Sequence, residues 1–220
     1  MNLKIINSFH LKNIALITMI IDHLGCVFFD DKVIFRIIGR ASFVLYAFGL
    51  VNGINYTSDR SKYLKKLFIW GVISEIPFDL VFNDSLVSFE SQNVFFTLFI
   101  GALSISLFNQ YKSILIKSCI LITGLFIGYL GKFDYSWYGV GLIYGMHFLR
   151  NLELLKFGFI QGLSTFYAVI AVNLSQFFAF TGILPIYLYN GKKGKKTGNI
   201  YYSYYSIHLL IFYIIRAIYY

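Results

Sequence analysis

An aspartate and a histidine, Asp22 and His23, stand side by side inside the apolar run from Asn13 to Phe29, where a bilayer-crossing helix would carry no ionisable group. Polar groups are costly there, and those that persist face a bundle interior or a wet cavity with partners to hold them. Four more charges, Arg36, Arg40, Glu75 and Asp79, fall in the next two apolar runs. One embedded polar pocket built from several helices accounts for all six.

The rest of the chain supports a membrane setting. Of 220 residues, 58% are hydrophobic and only 13% charged, and the mean hydropathy is +0.68. Short apolar runs separated by brief polar breaks tile the sequence, leaving no stretch for a soluble domain. The expectation is an all-α, polytopic transmembrane bundle forming a single domain over 1–220. The runs place about nine helices (8–10), near 13–29, 33–54, 63–83, 93–110, 112–130, 134–150, 155–171, 174–190 and 203–220. Between 155 and 190 only Asn173, Ser175 and Gln176 break the apolar character, so a re-entrant segment is an alternative to two spans.

Lysine and arginine in the short loops set the expected orientation. With the N-terminus cytoplasmic, one side collects Lys4, Lys12, the cluster Arg60, Lys62, Lys65 and Lys66, then Lys112, Lys117, Arg150, Lys156 and the run Lys192, Lys193, Lys195 and Lys196. The other side keeps little beyond Lys32 and Lys132. This topology explains the net charge of +9 without a nucleic-acid groove, because the cations are spread over several loops. A cleaved signal peptide is not expected, since Asp22 and His23 interrupt the apolar core and no small-residue cleavage motif follows. Cys26 and Cys119 both lie in apolar runs and provide neither a disulfide framework nor metal spacing. No nucleotide-binding glycine loop and no internal repeat is legible.

Counted from the outer end of each expected helix, His23 lies six residues in, Arg40 seven and Glu75 eight, about 9 to 12 Å at the helical rise. Arg36 and Asp79 lie one turn shallower. Arg36 and Arg40 share a helix face, as do Glu75 and Asp79, so two stacked ion pairs between the second and third helices are expected. A purely structural salt-bridge network would look the same. His23 at that depth favours chemistry, because an unperturbed imidazole titrates near neutrality and serves as base, acid or nucleophile. Adjacent helical residues diverge by about 100°, so Glu75 competes with Asp22 as the group orienting that ring.

Beyond these residues the chain resembles a known family, the F-pilin acetylation proteins called TraX, within the wider group of membrane-embedded acyltransferases. The blocks that carry the likeness are DHLG at 22–25, IGRASFVLYAFGLVNG at 38–53, RSKYLKKLFIWGVISEIPFDL at 60–80, QNVFFTLFIG at 92–101, DYSWYGVG at 134–141, PIYLYNGKKGKK at 185–196 and YYSYYSIHLL at 201–210. They occur in the family's order over most of the chain. Val44 and Ser206 stand where family prolines are expected, which reads as lost helix kinks.

The resemblance implies acetyl transfer from acetyl-CoA to an extracytoplasmic acceptor, a pilin N-terminus or another peptide or glycan, by an integral multi-pass protein of the plasma or inner membrane. His23 is then the catalytic base and Arg40 steadies charge on the carbonyl oxygen, while Glu75 or Asp22 holds the imidazole. Arg36, Asp79, Asn93 and Asp134 are expected to receive the acceptor. Acetyl-CoA would be met by Arg60, Lys66 and the turn Tyr189, Asn190, Gly191, Lys192 and Lys193, whose glycine lets amides approach a phosphate. His208, near the cytoplasmic end of the last helix, is grouped with them. The same phosphate chemistry would suit anionic lipid, and no metal is expected. A small secondary or proton-coupled transporter using the buried charges as a relay, or a non-catalytic membrane assembly protein, stays open as the other reading.

Overall fold

The structure, a computed structural model, describes residues 4–195 and 197–219, so Lys196 of the basic run lies outside the described residues. Among the described residues it is all-helical. The elements are α1 (Ser8–Phe28), α2 (Val33–Tyr56), α3 (Arg60–Phe82), α4 (Val94–Phe108), α5 (Ile114–Leu130), α6 (Ser136–Phe148), α7 (Glu153–Ile170), a 3₁₀ segment (Leu174–Gly182) running into α8 (Ile183–Tyr187), and α9 (Ile200–Tyr219). Helices α1 and α2 are long and apolar enough to cross a membrane. Caps explain where helices open earlier than their apolar runs. The Asn7 side chain accepts from the Phe9 and His10 amides and starts α1 at Ser8, and Asp59 accepts from the Lys62 amide and starts α3 at Arg60.

One expected element changes character. In place of a helix over 174–190 the chain forms nine residues of 3₁₀ helix and a single short α-turn. The buried residues of the 3₁₀ stretch are Gln176, Ala179 and Gly182, three apart. Three residues per turn stack such positions on one face, whereas an α-helix would fan them out. That face meets α2. The Gln176 amide oxygen accepts from Arg40, and a Cβ on Gly182 would come within 2.9 Å of the Val44 side chain.

The chain, expected as a single domain, divides into two compact units, 1–49 with 149–220, and 50–148. In the first, α1 and α9 run parallel, since Asn13 bonds Tyr201, His23 meets His208, and Phe28 stacks edge-on with Phe212 in the same order along both helices. Helix α2 returns antiparallel to α1 after a four-residue turn. Two glycines allow the close approach. A Cβ on Gly25 would overlap the Phe35 side chain, and one on Gly39 would occupy the space of the Asp22 carboxylate. In the second unit α6 is central, with Tyr138, Val140, Leu142, Ile143 and Met146 all buried. Helix α4 lies over it through Gly101 against Ile143, and α5 through Gly128 against Val140.

Candidate functional site

The first unit gathers five of the expected residues around α1. Asp22 is buried, and its carboxylate accepts from both arginines of α2: from Nη1 of Arg36 at 2.8 Å and from Nη2 of Arg40 at 2.8 and 2.9 Å. One carboxylate thus serves two guanidiniums, and the pairing anticipated between α2 and the third-helix acids is corrected accordingly. The reason is local. The tight α1–α2 hairpin and the missing side chain at Gly39 place Asp22 directly against the arginine face, so the cations are met by a carboxylate of the adjoining helix. Arg40 is 3% exposed and uses its other branch on Gln176, at 3.0 Å. Arg36 keeps a half-exposed side chain and also donates to the Cys26 sulfur.

His23 faces away from this pairing toward α9. Its Nδ1 lies 2.6 Å from Nε2 of His208. The ring planes are within 6° and the centroids 5.0 Å apart, so the imidazoles meet edge to edge in nearly one plane. His208 also places Nδ1 at 2.7 Å from the Tyr204 carbonyl. A carbonyl can only accept, so Nδ1 of His208 carries the proton and, in the neutral pair, its Nε2 is the acceptor. His23 therefore donates through Nδ1, which leaves the lone pair of His23 on Nε2. A carbonyl on α9 thereby fixes the tautomer of a histidine on α1. Both arginines are close enough to act electrostatically on the His23 ring.

His208 was expected beside the basic turn at a helix end; the structure corrects this, because α9 begins at Ile200 and its parallel packing carries residue 208 level with His23. The orienting partner of His23 is accordingly another histidine, while Asp22 is engaged with the arginines. Sequence reasoning noted Gln176 only as a polar break. Its signal was a glutamine in an otherwise apolar run, at 1% exposure a strong indication of a buried partner.

In the second unit Glu75, Asp79, Asn93 and Asp134 form separate arrangements. Asn93 is fully buried and caps α4, its Oδ1 accepting from the Phe95 amide, while its amide nitrogen donates to the Gly71 carbonyl at 2.8 Å and to Oε2 of Glu75. The other oxygen of Glu75 is buried with no hydrogen-bond partner. Asp79 has both oxygens engaged, by the Asn83 side chain and the Ser88 amide, each at 2.8 Å, which pins the loop after α3. Asp134 contributes its carbonyl to Thr97. It is followed by two non-glycine residues in the left-handed region, Tyr135 at φ 63° and Ser136 at φ 47°, a conformation that costs energy and must be held by its surroundings. Arg60 is exposed and Lys66 half-buried on the first turns of α3.

The basic turn belongs to the first unit. Asn190 closes it by accepting from the Lys192 amide at 2.9 Å, Gly191 takes φ 77°, and Lys192 and Lys193 are exposed. The turn is tied to the N-terminal segment. The Ile6 amide donates to Leu188, the Asn190 amide to Ile6 and the Ser8 amide to Lys192 at 2.8 to 3.0 Å, and the Tyr189 and Ser8 hydroxyls lie 3.0 Å apart.

Among the described residues, the geometry defines an all-helical protein with two helices long and apolar enough to cross a membrane and a histidine pair set beside an arginine–aspartate cluster. The chain belongs to the TraX protein family, whose description matches residues 8–216. It is 28% identical over 232 aligned positions to the probable fimbrial assembly protein FimC, serogroup H1, of Dichelobacter nodosus, covering 93% of each chain. It is also 32% identical over 100 residues to an uncharacterized protein of Rickettsia prowazekii strain Madrid E, covering 46% of this chain and 37% of that one. No solved structure matches it.

Proposed function

We propose that this protein is a multi-pass membrane acetyltransferase that moves an acetyl group from cytosolic acetyl-CoA to an extracytoplasmic amine or hydroxyl, in a pilus-associated role. Membership of the TraX family and the fimbrial assembly name of the Dichelobacter relative support the pilus setting. Exposed apolar side chains outside α1 and α2, such as Ile122 and Phe126 on α5, Phe166 and Val169 on α7, and Ile211 and Ile214 on α9, support additional lipid-facing helices. The lysine distribution supports a cytoplasmic N-terminus.

The observation that carries the chemistry is the His23–His208–Tyr204 chain. With its Nδ1 proton held by His208, His23 presents Nε2 as a base toward an incoming nucleophile. The acceptor nitrogen attacks the thioester carbonyl while His23 takes its proton, and collapse of the tetrahedral adduct returns that proton to the departing sulfur. His208 acts as a positioning residue that fixes the ring and shares its charge. Arg36, the more accessible of the two guanidiniums, is the donor for the developing oxyanion, and a donor so placed is worth roughly 3 to 4 kcal/mol. Arg40, deep beneath it, holds Asp22 and Gln176 in register.

The test is CoA release by purified protein in liposomes, given acetyl-CoA and a peptide bearing a free N-terminus. Acceptor-dependent release that disappears in His23→Ala is expected. Equal release by the alanine variant removes His23 from the mechanism, and acceptor-independent behaviour throughout removes the transferase reading.

A further inference from the structure

We propose that Lys156 is the buried cation of a phosphate-binding site at the corner formed by the N-terminal segment, the start of α7 and the loop after α8. Lys156 is 5% exposed, in the first turn of α7. Its ammonium makes one hydrogen bond, to the Arg150 carbonyl at 3.3 Å, and lies 5.7 Å from the Phe48 ring centroid and 5.5 Å from that of Phe157. A carbonyl and two aromatic faces satisfy a cation in part, without neutralising it. The nearest acid along the helix, Glu153, pairs with Lys4 at 2.9 Å and acts on Lys156 only through space, with no ion pair between them. Lysines this buried are nearly always paired, because an isolated charge withdrawn from water is costly. One exposed carboxylate shared between the Lys4 and Lys156 ammoniums leaves this corner net positive, and what would balance it is an anion.

The surroundings are built to hold one. Ile6, Ser8, Leu188, Asn190 and Lys192 lock two segments together by backbone hydrogen bonds, and the Tyr189 ring packs edge-on against Phe48 at 5.5 Å, the same ring that lies beneath Lys156. Exposed Lys192, Lys193 and Lys195 add positive charge on the adjoining loop, where Gly191 and Gly194 at φ 77° and 69° turn the backbone. Mobile surface lysines attract an anion; a desolvated, fixed ammonium gives it a seat. The ligand class is a phosphate ester, as carried by the nucleotide end of CoA or by an anionic phospholipid. The CoA assignment rests on the acetyltransferase reading, whereas the phosphate site does not.

The experiment compares full-length wild type with Lys156→Met in nanodiscs, titrating CoA, 3′-dephospho-CoA and pantetheine, with phosphatidylcholine alone or phosphatidylglycerol added. Methionine keeps the volume without the charge, so thermal stability is expected to hold or rise. CoA binding should weaken roughly tenfold while pantetheine binding is unchanged. If CoA binding is indifferent, or absent even in wild type, but wild type is stabilised by phosphatidylglycerol and the variant is not, the phosphate site stands and its occupant is lipid. A variant that matches wild type toward both CoA and phosphatidylglycerol overturns the proposal. So does one that loses thermal stability and pantetheine binding together, which would mark Lys156 as structural.

Discussion

On the proposed acetyltransferase reading, the chemistry of this chain comes down to which side chain receives which proton. Because the Tyr204 carbonyl fixes His208, which fixes His23, the two histidines should fail differently. His23→Ala is expected to lower transfer by roughly 10²–10⁴-fold, the usual contribution of a general base. His208→Phe should also lower turnover, with little change in the Michaelis constant, and His208→Gln should recover part of the loss by offering an amide oxygen to His23 Nδ1. Equal activity of the Phe and Gln variants would show that no proton at Nδ1 needs holding. Asp22 is the opposite case, a residue whose work is electrostatic balance. Its removal in Asp22→Ala strands Arg40 at 3% exposure, and unfolding in detergent should reveal a loss of about 3–5 kcal/mol. Gly39→Ala, whose new Cβ would enter the space of that same carboxylate, should cost about 1–3 kcal/mol.

Among the elements, the 3₁₀ segment is the one whose geometry is dictated by a neighbour. Its buried Gln176, Ala179 and Gly182 form a three-residue stripe against α2, so the close contact of Gly182 with Val44 is the point at which to test it. Gly182→Ala should destabilise the protein, and adding Val44→Ala should restore part of the loss, since the clashing atoms are Val44 Cβ and Cγ1 at 2.9 Å. Strictly additive losses would mean that the segment does not rest on α2 in the membrane. Helix α1 illustrates the opposite dependence. Its first turn is capped by the Asn7 side chain, and Asn7→Ala should cost about 1 kcal/mol and fray that turn, measurable as faster amide exchange at Phe9 and His10.

For the molecule as a whole, the proposed orientation puts the loop 191–195 in the cytoplasm and the turn at 29–32 outside. Cysteines introduced at Asp31 and Lys193, with Cys26 and Cys119 replaced by serine, separate the alternatives. In intact cells an impermeant maleimide should label position 31, and position 193 only after permeabilisation. The reverse pattern would invert the topology and move the donor to the other face.

What the sequence determined by itself is the helical class, most helix positions and the need of Asp22 and His23 for partners, because these follow from short-range rules. Apolar runs measure spans, Asn and Asp cap helices, and an ionisable pair in an apolar run demands partners. The partners were another matter. Charges matched by depth pointed Arg36 and Arg40 at third-helix acids, although Asp22 of the preceding helix, 14 and 18 residues upstream, receives them once Gly25 and Gly39 let the hairpin close. His208 was visible as a residue but not as the neighbour of His23, since its level depends on how α9 slides along α1. Lys156 looked like an ordinary loop cation until Phe48, Phe157 and Arg150 enclosed it. Depth in a helix is local information; azimuth, register and burial arise only when helices pack, and those decide which of several chemically equivalent groups is close enough to share a proton.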